Sequence, residues 1–139
     1  MAKSTDTVKS FQTIQSSIRR KEFSAVYVLQ GEETYFTDSL TKLIEDSVVP
    51  ESARSFNQTI LYGKETNVQD LVGMARRFPM MSDYQLIIVK DAEDLTDLDS
   101  LALYLQNPLN TTVLVLNFRK GKLDMRSKAG KAAAKFTTA

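Results

Sequence analysis

With 139 residues, 42% of them hydrophobic and 25% charged, the chain has material for one domain with a real core and the composition of an ordinary soluble globular fold. A formal net charge of +1 gives no global field toward nucleic acid or membrane, and the lack of Cys and His removes thiol and imidazole catalysis, disulfides and any ordinary zinc site. No apolar stretch approaches the roughly 20 residues that span a bilayer. The opening MAKSTDTVKS has no apolar core of the kind a secretion signal needs, and the absence of Cys fits a reducing compartment, so a cytoplasmic protein is expected.

Val8, Phe11, Ile14 and Ile18 recur at helical spacing and predict an amphipathic N-terminal helix. AVYVLQ (25–30) is a short apolar run of the kind that forms a strand buried on both faces. Tyr35, Phe36, Leu40, Leu43, Ile44 and Val48 give a second helix, stopped near Pro50. FNQTILYG (56–63) reads as a second strand ending at Gly63. A helix follows, opened by a capping box of Thr66 with Gln69 and presenting Val68, Leu71, Val72 and Ala75 on its apolar face. YQLIIVK (84–90) is the clearest buried strand. Leu98, Leu101 and Leu105 mark another helix, ended by Asn107-Pro108, and TTVLVLNF (111–118) is the fourth strand. DMRSKAGKAAAKF (124–136) closes as a basic helix with Asp124 as its N-cap.

Four buried strands separated by helices imply an α/β fold with a mostly parallel sheet flanked by helices. The alternation calls for another strand after KFTTA, so the chain reads as a fragment of a longer protein.

The turn after the first strand is where a phosphate-binding loop sits in a nucleotide-binding domain. The pattern G-x-x-x-x-G-K-[ST] needs glycines to turn backbone N–H groups toward phosphate, a lysine for the terminal charge and a hydroxyl for magnesium. Counted from Gly31, the second glycine falls on Phe36, the lysine on Thr37 and the hydroxyl on Asp38. Glu32, Glu33 and Asp38 would repel a polyphosphate. The residues therefore predict no ATP site and no other cofactor, only a strand-to-helix turn whose acids favour the helix N-terminus.

VYVLQGEETYFTDSL, FNQTILYGKE, ARRFPMMSDYQLIIVKDAEDL, LQNPLNTTVLVLN and KLDMRSKAGKAAAK, in this order and spacing, resemble the delta subunit of bacterial DNA polymerase III, the clamp-opening member of the clamp loader. The resemblance runs from about Val26 to Lys135. It implies a RecA/AAA+-like domain with a degenerate phosphate loop, residues 1–139 being the N-terminal clamp-binding domain of a protein whose lid and collar domains are absent here. It implies a part in DNA replication without ATP hydrolysis of its own: a non-catalytic subunit that binds and helps open the sliding clamp (the beta subunit). Gamma/tau and delta prime would be its other partners in the full-length protein, with DNA contact possible inside the complex. In that family two adjacent apolar side chains before the third strand enter a pocket on the clamp; the resemblance places them at Met80 and Met81, in a clamp-binding segment of Phe78, Pro79, Met80 and Met81 followed by Ser82. Both anchors are Met where aromatic or Leu side chains are usual; Met is adaptable but loses more rotamer entropy on binding. By spacing alone the same pair reads equally as core.

Arg119, Lys120, Lys122, Arg126, Lys128, Lys131 and Lys135 oppose one acid, Asp124, so the rest of the chain is net acidic. Lys122, Arg126, Lys128 and Lys131 are the candidates for a DNA-facing patch. The plainer reading is a solvated helix face made cationic near its C-terminus, since no aromatics interleave for base stacking. Two other classes stay open, a small P-loop-like NTPase or kinase and a flavodoxin-like signalling module. A receiver-type module needs an acidic pocket at strand ends, and the acids here are scattered.

Overall fold

The computed structural model describes residues 2–30 and 34–138. Helix α1 (Ala2–Arg19) leads into strand β1 (Val26–Leu29), then α2 (Thr34–Ser47), a one-turn helix α3 (Arg54–Asn57) and strand β2 (Gln58–Tyr62). Helix α4 (Val68–Ala75), strand β3 (Gln85–Lys90), helix α5 (Ala102–Gln106), strand β4 (Thr112–Asn117), helix α6 (Lys128–Ala133) and strand β5 (Thr137–Thr138) complete it. All ladders are parallel, and the strands lie in the order β2-β3-β4-β1-β5.

Parallel strands need helical crossovers, which cover both faces of the sheet and make its central strands apolar throughout. Here β1, β3 and β4 alternate between two cores. Val26, Val28, Ile87, Val89, Leu114 and Leu116 pack on the side of α4, α5 and α6, with Leu71, Tyr104 and Ala133. Tyr27, Leu29, Leu86, Ile88, Val113 and Val115 pack on the side of α1 and α2, with Ile14, Ile18, Leu40 and Ile44. Phe11 of α1 meets Phe36 of α2 with ring centroids 4.9 Å apart. The position where a phosphate loop has its second glycine is thus filled by a ring that ties two helices together. Of that reading, Gly31, Glu32 and Glu33 lie outside the described residues.

Several local expectations shift. Strand β2 begins at Gln58, because Arg54–Asn57 close a helical turn first. Among the described residues it pairs only with β3, at the sheet edge, and Ile60 and Tyr62 are exposed, so it is not the buried strand its composition suggested. The cap of α4 is Asn67, whose side chain accepts the Asp70 N–H at 2.8 Å, one residue later than the Thr66–Gln69 box. Likewise α6 is shorter than 124–136 and is capped by Ser127, whose hydroxyl accepts the Gly130 N–H at 3.0 Å. Asp124 instead binds the Arg126 N–H in a turn before the helix. The strand expected after KFTTA starts within it, as β5 beside β1.

Candidate functional site

The segment between α4 and β3 joins an exposed apolar surface to a fixed backbone. Phe78, Met80 and Met81 are 73%, 61% and 95% exposed, and Pro79 is half-buried. Core packing is therefore not what holds the methionine pair. Met81 adopts the left-handed region with φ 59°, a conformation that costs a non-glycine residue about 1–2 kcal/mol and persists only when its surroundings impose it.

Those surroundings are buried polar groups. Asn57, 3% exposed, accepts the Met80 N–H at 2.7 Å and donates to the Met80 carbonyl at 2.6 Å; its other amide hydrogen goes to the Ala53 carbonyl at 3.0 Å. Upstream, the buried Gln85 donates to the Arg77 carbonyl at 2.7 Å and to Thr112 Oγ1 at 2.9 Å, and Thr112 donates to the Ala75 carbonyl at 2.7 Å. Downstream, Ser82 Oγ donates to the Tyr84 carbonyl at 2.9 Å, and the Tyr84 ring meets Phe23 edge-on at 5.4 Å. The sequence reading found the apolar residues and missed Asn57 and Gln85. Their only local signal is an amide at the start of an apolar run.

A concavity of about 460 Å³ lies beyond the carboxyl ends of the strands, lined by Thr37, Thr41, Lys42, Lys90, Asn117 and Arg119 among others. This is where ligands bind in open α/β sheets. Asn117 Nδ2 donates to Thr41 Oγ1 at 3.0 Å, and Thr41 donates to the Thr37 carbonyl at 2.7 Å, so helix α2 is tied to the end of β4. Asp38, Glu45 and Asp91 share the cleft with its cations. With Phe36, Thr37 and Asp38 in place of Gly, Lys and hydroxyl, calorimetry with magnesium-ATP is expected to show no heat of binding. Micromolar affinity would contradict this reading.

At the basic end, Lys122, Arg126, Lys128 and Lys131 are all exposed. Arg126 faces Asp124 at 3.3 Å, and Lys135 Nζ is bound to the Gln106 carbonyl at 3.0 Å. The turn entering this region hangs on Glu93, which accepts the Arg119 N–H at 3.0 Å and the Lys120 N–H at 2.8 Å. Burial opposes ionisation of Glu93, but the Lys120 and Arg119 N–H groups and the Lys120 charge outweigh it, holding the carboxyl below the usual glutamate range. A carboxyl depressed on folding stabilises the protein above its ordinary value of about 4.3 and loses that contribution as pH falls through the folded value. Thermal melts on acidification should therefore show wild type and Glu93→Gln differing by under about 1 kcal/mol near neutrality, since solvent screens the site, and converging as pH falls through the lowered folded value. A gap that widens with acid would reverse the assignment.

Among the described residues, no group of three or more Asp or Glu could hold a metal ion, and no helix is long and apolar enough to cross a membrane.

The strand order matches neither the 2-1-3-4-5 of flavodoxin-like sheets nor the 3-2-1-4-5-6 of dinucleotide-binding ones. It defines a RecA/AAA+-like α/β domain, with β1 inside the sheet and a phosphate-loop position that lacks the loop's residues. The family described as "DNA polymerase III, delta subunit" matches residues 27–139, and the chain belongs to that family. It is 31% identical over 132 residues to the DNA polymerase III subunit delta of Bacillus subtilis (strain 168), covering 88% of this chain and 38% of that protein. The solved Bacillus subtilis DNA clamp loader delta protein superposes with a TM-score of 0.83 at 30% identity, over 93% of this chain and 42% of that one. A DNA polymerase III gamma subunit-related protein of Thermotoga maritima shares the fold at a TM-score of 0.54 and 18% identity, over 80% of this chain and 40% of its own.

Proposed function

We propose that residues 1–139 form the clamp-binding domain of a clamp-loader delta subunit, which binds the sliding clamp (the beta subunit) and helps open it during DNA replication in the cytoplasm. In this reading the domain hydrolyses no ATP and acts with the gamma/tau and delta prime subunits, which supply the other positions of the loader. Phe78, Pro79, Met80 and Met81 are the clamp contact. The observation that carries the reading is the combination at this turn: large apolar side chains left in solvent on a backbone braced from within, in a chain of the delta family.

Apolar anchors carried on a braced backbone suit a hot spot, because less of the chain has to be ordered on binding. The exposed Lys122, Arg126, Lys128 and Lys131 suit contact with DNA phosphates inside the assembled complex, as a sequence-independent contribution. Surface-immobilised clamp, titrated with the 139-residue chain, is the direct test; saturable binding supports the reading and its absence removes it.

A further inference from the structure

Asn57 belongs to no part of the clamp contact as the sequence marks it. It lies 23 residues before Met80, on the last turn of α3, with its side chain turned inward. Its amide is fully used: one oxygen and two hydrogens meet Met80 N–H, Met80 O and Ala53 O, between 2.6 and 3.0 Å. An amide that accepts from the N–H and donates to the C=O of one residue holds the two peptide units on either side of that residue's Cα, and so fixes its φ and ψ together. No other side-chain type of that length offers both an acceptor and two donors. The residue so gripped is the first methionine of the pair, and the next, Met81, is the one held at positive φ.

We propose that Asn57 is a positioning residue for clamp binding, one that never touches the clamp. It holds the Met80 peptide so that Met80 and Met81 are presented together on the outer side of the turn. This rests on the clamp-anchor reading above and adds to it the means by which two flexible side chains are aimed. A methionine has three rotatable side-chain bonds, so fixing the backbone beneath it removes the part of the disorder the protein can remove in advance. The same grip explains how Met81 is kept in a region that a free turn would leave.

The test is Asn57→Ala in the 139-residue chain, alone and combined with Met80→Ala/Met81→Ala, read by amide hydrogen exchange and by clamp affinity. The expected result has three parts. The Met80 amide exchanges about tenfold faster or more, while Ile87 and Leu114 amides in the central strands keep their protection. Clamp Kd rises about tenfold, the size expected from two net hydrogen bonds. In the double-methionine background Asn57→Ala changes Kd no further, because there is nothing left to aim.

Unchanged Met80 exchange would overturn the brace. An equal loss of affinity with and without the methionines would make Asn57 a merely structural residue and overturn the positioning role. If Met80→Ala/Met81→Ala itself left clamp binding intact, the anchor reading would fall first and the role of Asn57 with it, an outcome distinct from the other two. Should Asn57→Ala not fold, Asn57→Asp keeps the volume and the acceptor for Met80 N–H but loses both donations, and the same three readings apply to it.

Discussion

Replacing Met80 and Met81 together by alanine is expected to cost about 3–6 kcal/mol of clamp binding, on the order of a hundredfold or more in Kd, while leaving fold stability within about 0.5 kcal/mol. The first magnitude follows from removing two large apolar side chains from a desolvated pocket at about 1.5–3 kcal/mol each. The second follows from exposure: side chains at 61% and 95% accessibility have little packing to lose. Had they been core residues, each truncation would have cost about 2–5 kcal/mol of stability. Alanine is the right replacement at position 81. It shares methionine's reluctance toward positive φ, whereas glycine would relieve that strain and alter the unfolded chain as well. The measurements are clamp affinity and thermal melting on the same double variant. Unchanged affinity would reject the anchor, and a collapsed melting temperature would reinstate the core reading.

The sequence exposed this site unevenly, for a physical reason. Phe78, Pro79, Met80 and Met81 are adjacent in the chain, so their type and order are visible locally. Exposure is not local: the same two methionines at the same spacing would suit a core. Asn57 and Gln85 were invisible because their partners lie across the fold; Asn57 reaches 23 residues to Met80, and Gln85 reaches 27 residues to Thr112. The central strands β1, β3 and β4 were legible because burial on both faces demands unbroken apolar runs. Cap positions were less so. Asn67 and Ser127 compete with Thr66 and Asp124 as oxygen-bearing neighbours of a helix start, and only the dihedral angles decide between them. The brevity of β5 hid it, since two threonines carry no periodicity.

Strand β2 shows where composition stops being informative. Its Ile60 stands in register opposite Ile88 of β3, on the same face of the sheet, and the two residues are chemically identical. Ile88 is fully buried in the core against α1 and α2, while Ile60, one strand further out at the sheet edge, is 40% exposed. Ile88→Ala should therefore cost about 2–5 kcal/mol, because it leaves a cavity that the packed neighbours on β4, α1 and α2 cannot fill. Ile60→Ala should cost roughly 1 kcal/mol or less, since much of that side chain is already in water and the site is open on one side. Urea titrations of the two variants make the comparison at constant chemistry, with the slope of the transition checking that the denatured state is unaltered. Equal losses would mean that β2 is covered in solution and that the sheet edge is not at β2. The expected inequality would show that position in the sheet, not residue type, sets what an isoleucine contributes to this fold.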